Sequence, residues 1–166
     1  MIKKKIVLFI CTLICANVLI AQTQFTIGSI TYEVIDSNEV KIYDYSGTDS
    51  VLVIPDTVAY QNVSYAVTEI GEYALAFSQS LTTITIPNNI RIINDGAFSS
   101  CSSLDSIIIP NSVTAIEHST FYGCSSLTSI TLHNSITRIS PYAFCNCTGL
   151  TSFVIPDGID TIYDAT

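Results

Sequence analysis

Positive charge is scarce in these 166 residues: there are 6 Lys and Arg against 14 Asp and Glu, for a formal net charge of -8. Three of the six, Lys3, Lys4 and Lys5, crowd the first five positions. Beyond them only Lys41, Arg91 and Arg138 stand against all 14 carboxylates, a balance of -11. Nucleic-acid binding needs a basic footprint on one face, and this composition is the reverse. An anionic membrane surface should repel the chain for the same reason. The acids are scattered rather than blocked, which favours solubility over an acidic tail. Catalytic motifs are missing as well. There is no G-x-S-x-G, and neither His118 nor His133 sits in a recurrent Ser/His/Asp context. There is no glycine-rich phosphate loop and no run of alternating acids for calcium. Asp95, Asp105 and Asp157 read as ordinary loop and turn residues. The sequence points away from an enzyme and implies no cofactor or metal.

Only one long apolar run is present. "MIKKK" forms a basic start, "IVLFICTLICANVLIA" follows, and small Ala21 precedes polar "QTQ". This pattern predicts a secretory signal peptide over 1–21, cleaved near Ala21. An uncleaved anchor is the alternative, but the run is short for a span. Lipid attachment does not fit, because isoleucine rather than a small residue precedes Cys11 and Cys15. No membrane span is expected after cleavage.

What the chain has in abundance is repetition. "SCSSLDSIIIPNS" from Ser100 returns as "GCSSLTSITLHNS" from Gly123 and "NCTGLTSFVIPDG" from Asn146, at intervals of 23. The same interval separates Ile84, Ile107, Ile130 and Phe153, and also Leu81, Leu104, Leu127 and Leu150. It recurs in Pro87, Pro110, His133 and Pro156, in Ile70, Ile93, Ile116, Ile139 and Ile162, and in Leu75, Phe98, Phe121 and Phe144. A fixed period in the twenties predicts a solenoid. One such coil cannot hide its own apolar face, but stacked coils turn each column into a continuous interior ridge. The stretch "L-x-x-I-x-I" reads as a short strand with Leu104, Ile107 and Ile109 facing in. Successive strands would lie parallel, about 4.8 Å apart. Proline ends the strand, because it cannot continue a ladder. "NDGAF" leaves room only for a tight or helical turn before the next coil.

The expected fold is therefore a mainly β repeat solenoid, a right-handed coil with a parallel sheet on one face and short turns, 3-10 or helical, on the other. Residues 51–166 hold about four coils and a partial one. Pro55 to Pro87 is longer by nine residues, and "VAYQNVSYAV" within it reads as a protruding hairpin. Upstream, "FTIGSITYEVIDSNEVKIYDY" predicts an N-terminal β-hairpin cap over 22–50, covering core and unpaired backbone at the open end.

These copies resemble BspA-like leucine-rich repeats. The resemblance rests on "AFSSCSSLDSIIIPNSVTAIE", "AFCNCTGLTSFVIPDGIDTI" and the opening "VIPDTVAYQNVSYAVTEIGEYAL". It covers roughly Val51 to Ile162. Departures are local: His133 stands for proline, Leu75 for phenylalanine, Ser78 for cysteine. The resemblance implies a secreted or surface-attached protein that binds other proteins, extracellular-matrix components among them, in adhesion, without catalysis. Shared fold does not fix a ligand.

Beyond the leader there are four cysteines, Cys101, Cys124, Cys145 and Cys147, three of them spaced by 23. A buried thiol ladder and a disulfide framework both suit that pattern. The ladder fits better, because equivalent positions on adjacent coils lie about 4.8 Å apart with parallel Cβ atoms. A zinc site fits worst, Cys145-x-Cys147 being too tight. His118 and His133 read as surface residues. Asn62 in "NVS" and Asn146 in "NCT" match the glycosylation acceptor pattern only as three-residue strings.

The remaining candidate is the outer face of the strand ladder. Thr83, Ser106, Ser129 and Ser152 form one outward column, and Thr85, Ile108, Thr131 and Val154 another. Thr82, Asp105, Thr128 and Thr151 form a third. Serine and threonine suit any exposed strand. The same strip, nearly uncharged, also suits an extended ligand: a protein, with a glycan as the second class. The alternative sites of contact are the hairpin tyrosines Tyr60 and Tyr65, if exposed, and self-association through the uncapped C-terminal repeat.

Overall fold

The computed structural model describes residues 23–159 and 161–163. The signal peptide expected over 1–21 lies outside the described residues. Among those described there are thirteen strands and no helix.

The described residues open with an antiparallel meander of β1 (Gln24–Ile27), β2 (Ile30–Asp36) and β3 (Glu39–Tyr45). Alternation drives it: Ile30, Tyr32 and Val34 of β2, and Val40 and Ile42 of β3, are buried between exposed or half-buried neighbours. Burial pushes the Tyr32 phenol up to about 12. The β2–β3 turn falls within "DSNE", and a second turn at Gly28 and Ser29 adds β1.

After β4 (Val51–Val53) the extra residues form the hairpin of β5 (Thr57–Tyr60) and β6 (Val63–Ile70). Its two-residue turn, Gln61 and Asn62, holds φ of 49 and 65, the double left-handed geometry that such turns need. β3 pairs in parallel with β6, which joins the meander to the coils. The sheet order β1-β2-β3-β6-β5 curls until Phe25 on one edge strand stacks on Tyr60 on the other, 4.3 Å between centroids. Tyr65 joins at 5.8 Å. The hairpin tyrosines are thus half-buried against Phe25, which corrects the expectation of two exposed rings.

From here the chain coils with three sides. One side is the parallel sheet of β4, β7 (Thr83–Thr85), β9 (Ser106–Ile108) and β11 (Ser129–Thr131). Ile107 pairs with Ile130, so the 23-residue interval is itself the register. A second side carries two short parallel ladders, β8 (Ile92–Ile93) on the end of β6, and then β10 (Ala115–Ile116), β12 (Arg138–Ile139) and β13 (Thr161–Ile162) as a separate sheet.

The third side consists of tight turns, and its hydrogen bonds explain why no helix forms there. Alternate N–H groups bond locally: Ala97 to the carbonyl of Asn94, Ser99 to Gly96, Cys101 to Phe98. Those between them bond to the next coil: Gly96 to His118, Phe98 to Thr120, Ser100 to Tyr122. A helix would need every N–H for itself. Two columns carry the required left-handed backbone. Tyr73, Gly96, Ser119 and Tyr142 form one, and Phe77, Ser100, Gly123 and Asn146 the other, with φ between 53 and 70.

The columns fill the interior. Leu81, Leu104 and Leu127 are buried, as are Ile93, Ile116 and Ile139. So is a column that the sequence reading passed over, Ile90, Val113 and Ile136. Each such side chain contributes about 1.5–3 kcal/mol. Phe98, Phe121 and Phe144 stack as a spine, with centroids 5.4 and 5.5 Å apart and rings within 6° of parallel. Phe153, in the isoleucine column, tilts onto Phe144 at 5.2 Å.

Candidate functional site

The sheet face places six of the eight candidate residues on strands. Thr83 and Thr85 flank buried Ile84 on β7, Ser106 and Ile108 flank Ile107 on β9, and Ser129 and Thr131 flank Ile130 on β11. Ser152 and Val154 lie exposed in the next copy, where the chain is not a strand. The face also extends to β4, whose outward Val51 and Val53 were not anticipated.

A groove of about 430 Å³ opens on this face between β7 and β9. β4 and β7 pair over three residues, as do β9 and β11, but β7 and β9 pair only at Thr83 and Ser106. The strands part beyond that point. Thr85 and Ile108 line the groove, together with Asn88 and Asn111. Ile108 is 71% exposed. The two asparagines escaped the sequence reading, although Asn88, Asn111, Asn134 and Asp157 also recur every 23 residues.

The third outward column has another task. Thr82 Oγ1 donates to the carbonyl of Ser50 (2.8 Å), and Thr128 Oγ1 donates to that of Asp105 (3.2 Å). These hydroxyls tie one coil to the previous one. The hydroxyls of Thr83, Thr85, Ser106, Ser129 and Thr131 make no such bond among the described residues. They are left for solvent or a ligand.

The four cysteines among the described residues are free thiols. Cys101 Sγ donates to the carbonyl of Leu75 (3.1 Å), Cys124 to Phe98 (3.1 Å) and Cys147 to Phe121 (3.0 Å), always one coil back. Burial pushes the Cys101 thiol up to about 11. A neighbouring Cys147, and then burial, push Cys124 up as well. These are small core residues with a weak donor. At Cys101 and Cys124 the upward shift disfavours the reactive thiolate, whereas the hydrogen bond with Cys124 shifts the Cys147 thiol down. Cys145 is half-buried.

His133 is half-buried rather than fully at the surface. Its Nδ1 accepts the Ser135 N–H (3.2 Å), so Nε2 carries the proton donated to the Pro110 carbonyl (2.7 Å). It staples a coil where proline is missing. His118 is exposed and meets the edge of Tyr142. No group of three or more His, Cys, Asp or Glu among the described residues is placed to hold a metal ion.

All cations of the described residues are committed. Lys41 pairs with Glu33 at 3.0 Å, Arg91 with Glu39 at 2.6 Å, and Arg138 with Glu117. The sheet groove has none of them.

Parallel ladders, inward isoleucines and a leucine column define a leucine-rich repeat solenoid. Residues 57–166 match the model of the BspA type leucine-rich repeat region, in 6 copies, and the chain belongs to that family. It is similar to a leucine-rich repeat protein from Bacteroides ovatus at 35% identity, with a TM-score of 0.77 over 81% of this chain and 36% of that one. It is also similar to the T. pallidum leucine-rich repeat protein at 25% identity, with a TM-score of 0.74 over 83% of this chain and 63% of that one. The chain thus spans less than two thirds of either relative's length. No curated protein matches it. Leucine-rich repeats are generally interaction modules rather than enzymes. Among the described residues no helix is long and apolar enough to cross a membrane.

Proposed function

We propose that the chain is a secreted or cell-surface binding module that holds a protein ligand on its repeat sheet, in adhesion to a host or neighbouring cell. The observation that carries this reading is the groove between β7 and β9. An isoleucine 71% exposed lies there among uncommitted hydroxyls, with no charge to desolvate. Apolar contact framed by neutral donors and acceptors suits the core of a protein interface. A glycan would use the hydroxyls and asparagines but gain little from Ile108.

The test is binding of the purified chain to immobilised matrix proteins and to a glycan panel, with Ile108→Glu and Thr85→Glu variants alongside. Both positions are exposed, so melting should not change. Saturable protein binding weakened at least about tenfold by either substitution is expected. Binding that survives both would move the site off this face.

A second reading has its own observation. β13 pairs on one side with β12 and ends its sheet in the described residues, and Val154, Ile155 and Ile162 are exposed nearby. A second copy stacked there would cover them. A light-scattering mass that grows with concentration would favour it, and a constant monomer mass would remove it.

A further inference from the structure

A second groove, of about 520 Å³, lies away from the sheet face, between the meander and the first turn of the coils. Its lining includes Tyr43, Asp44, Glu69, Glu72 and Tyr73. Two glycines build it. The Gly71 N–H donates to the Ile42 carbonyl at 2.8 Å, and a Cβ on residue 71 would stand 2.6 Å from that oxygen. Only glycine lets the Glu72–Tyr73 turn come so near β3. Gly96 then seats the other wall: a Cβ there would lie 2.2 Å from the Tyr73 ring, so the ring occupies space that a side chain at 96 would need. Both tyrosines remain about half exposed, at 47% and 55%.

The charge is predominantly negative, with the Arg91 guanidinium, paired to Glu39, also attracted to Glu69. Lys41 also lines the groove, but its ammonium is engaged by Glu33. Asp44, Glu69 and Glu72 take part in none of the ion pairs among the described residues. Aromatic faces and carboxylates in one concavity suit a cation, held by ring quadrupoles and by charge together. The chain is strongly acidic and the Lys and Arg cations of the described residues are already paired, which points to a cation brought by a partner.

We propose that this groove takes the lysine or arginine side chain of a basic segment on a protein partner. It is a contact separate from the sheet face, and either can fail while the other stands.

The probe is a fluorescein-labelled peptide of alternating lysine and glycine, with its lysine-acetylated counterpart as control, titrated into the full chain by anisotropy. Saturable binding of the charged peptide alone is expected. The double variant Glu69→Gln/Glu72→Gln should weaken it about tenfold or more. Tyr73→Leu should weaken it about threefold, while Tyr73→Phe, which keeps the ring, should not. Asp105→Asn on the sheet face should leave binding unchanged. An equal loss with Asp105→Asn would reduce the effect to net charge and overturn the proposal. So would equal binding of the acetylated peptide, or no saturation with variants that melt normally.

Discussion

Gly96 and Gly123 occupy left-handed positions that other copies fill with Tyr73, Ser119 and Tyr142 or with Phe77, Ser100 and Asn146. The backbone strain is therefore shared, and the fold tolerates side chains at φ near +60. The two glycines differ in what a methyl would meet. At Gly123 it would stand an ordinary 3.4 Å from Ser100 Oγ, whereas at Gly96 it would collide with the Tyr73 ring. Gly123→Ala should cost only the backbone preference, about 1–2 kcal/mol. Gly96→Ala should cost more, and in a Tyr73→Ala background its cost should drop to the Gly123 value. Urea unfolding of the four variants checks this cycle, and an unchanged cost in the Tyr73→Ala background would mean the ring is not seated as described. None of this was readable from the sequence. The 23-residue columns mark position, not φ, and tyrosine does not advertise a left-handed backbone.

At the scale of elements, the meander is fastened to the coils by β3. Backbone pairing with β6 does most of this, and the bidentate Arg91–Glu39 pair (3.1 and 2.6 Å) adds a link from β3 to the strand region beyond β6. The Arg91 guanidinium, with a lesser contribution from Thr68, holds the Glu39 carboxyl below the usual range. A carboxyl depressed in the folded state stabilises above its unfolded pKa, about 4.3. That contribution is lost as pH falls through the lower folded value. The urea midpoint should therefore fall between pH 6 and pH 3 by more in the native chain than in Glu39→Gln. Equal falls would show that the pair, which is partly exposed, adds nothing measurable. The sequence showed that Lys41, Arg91 and Arg138 are the Lys and Arg residues beyond Lys5. It could not show their partners, because Glu39 and Arg91 are brought together only by parallel pairing of strands far apart in the chain.

Over the whole molecule, each coil touches mainly its neighbours, so stability is a sum of local interfaces. Phe121 lies between two rings and is fully buried, while Phe144 has a parallel ring on one side and tilted Phe153 on the other, and is 7% exposed. Phe121→Ala should cost about 3–5 kcal/mol, and Phe144→Ala less, because the end of the stack can relax around the loss. Denaturant unfolding of both variants decides; a larger loss at Phe144 would contradict the stacked arrangement.

The repeat was legible because its cause is one-dimensional. A coil that must bury the same face at every turn writes its isoleucines, leucines and phenylalanines at one interval, and that interval becomes strand register when the coils stack. Positions that face outward carry no such constraint, so Thr83, Ile108 and Thr131 could be placed together on one exposed strip, but the groove within that strip could not be read. The groove depends on where β7 and β9 stop pairing, and the second groove on how closely Gly71 lets one turn approach Ile42. The half-burial of Tyr60 and Tyr65 depends on the sheet curling until its edges meet. Those are properties of distance between segments remote in the chain, which only the folded arrangement sets.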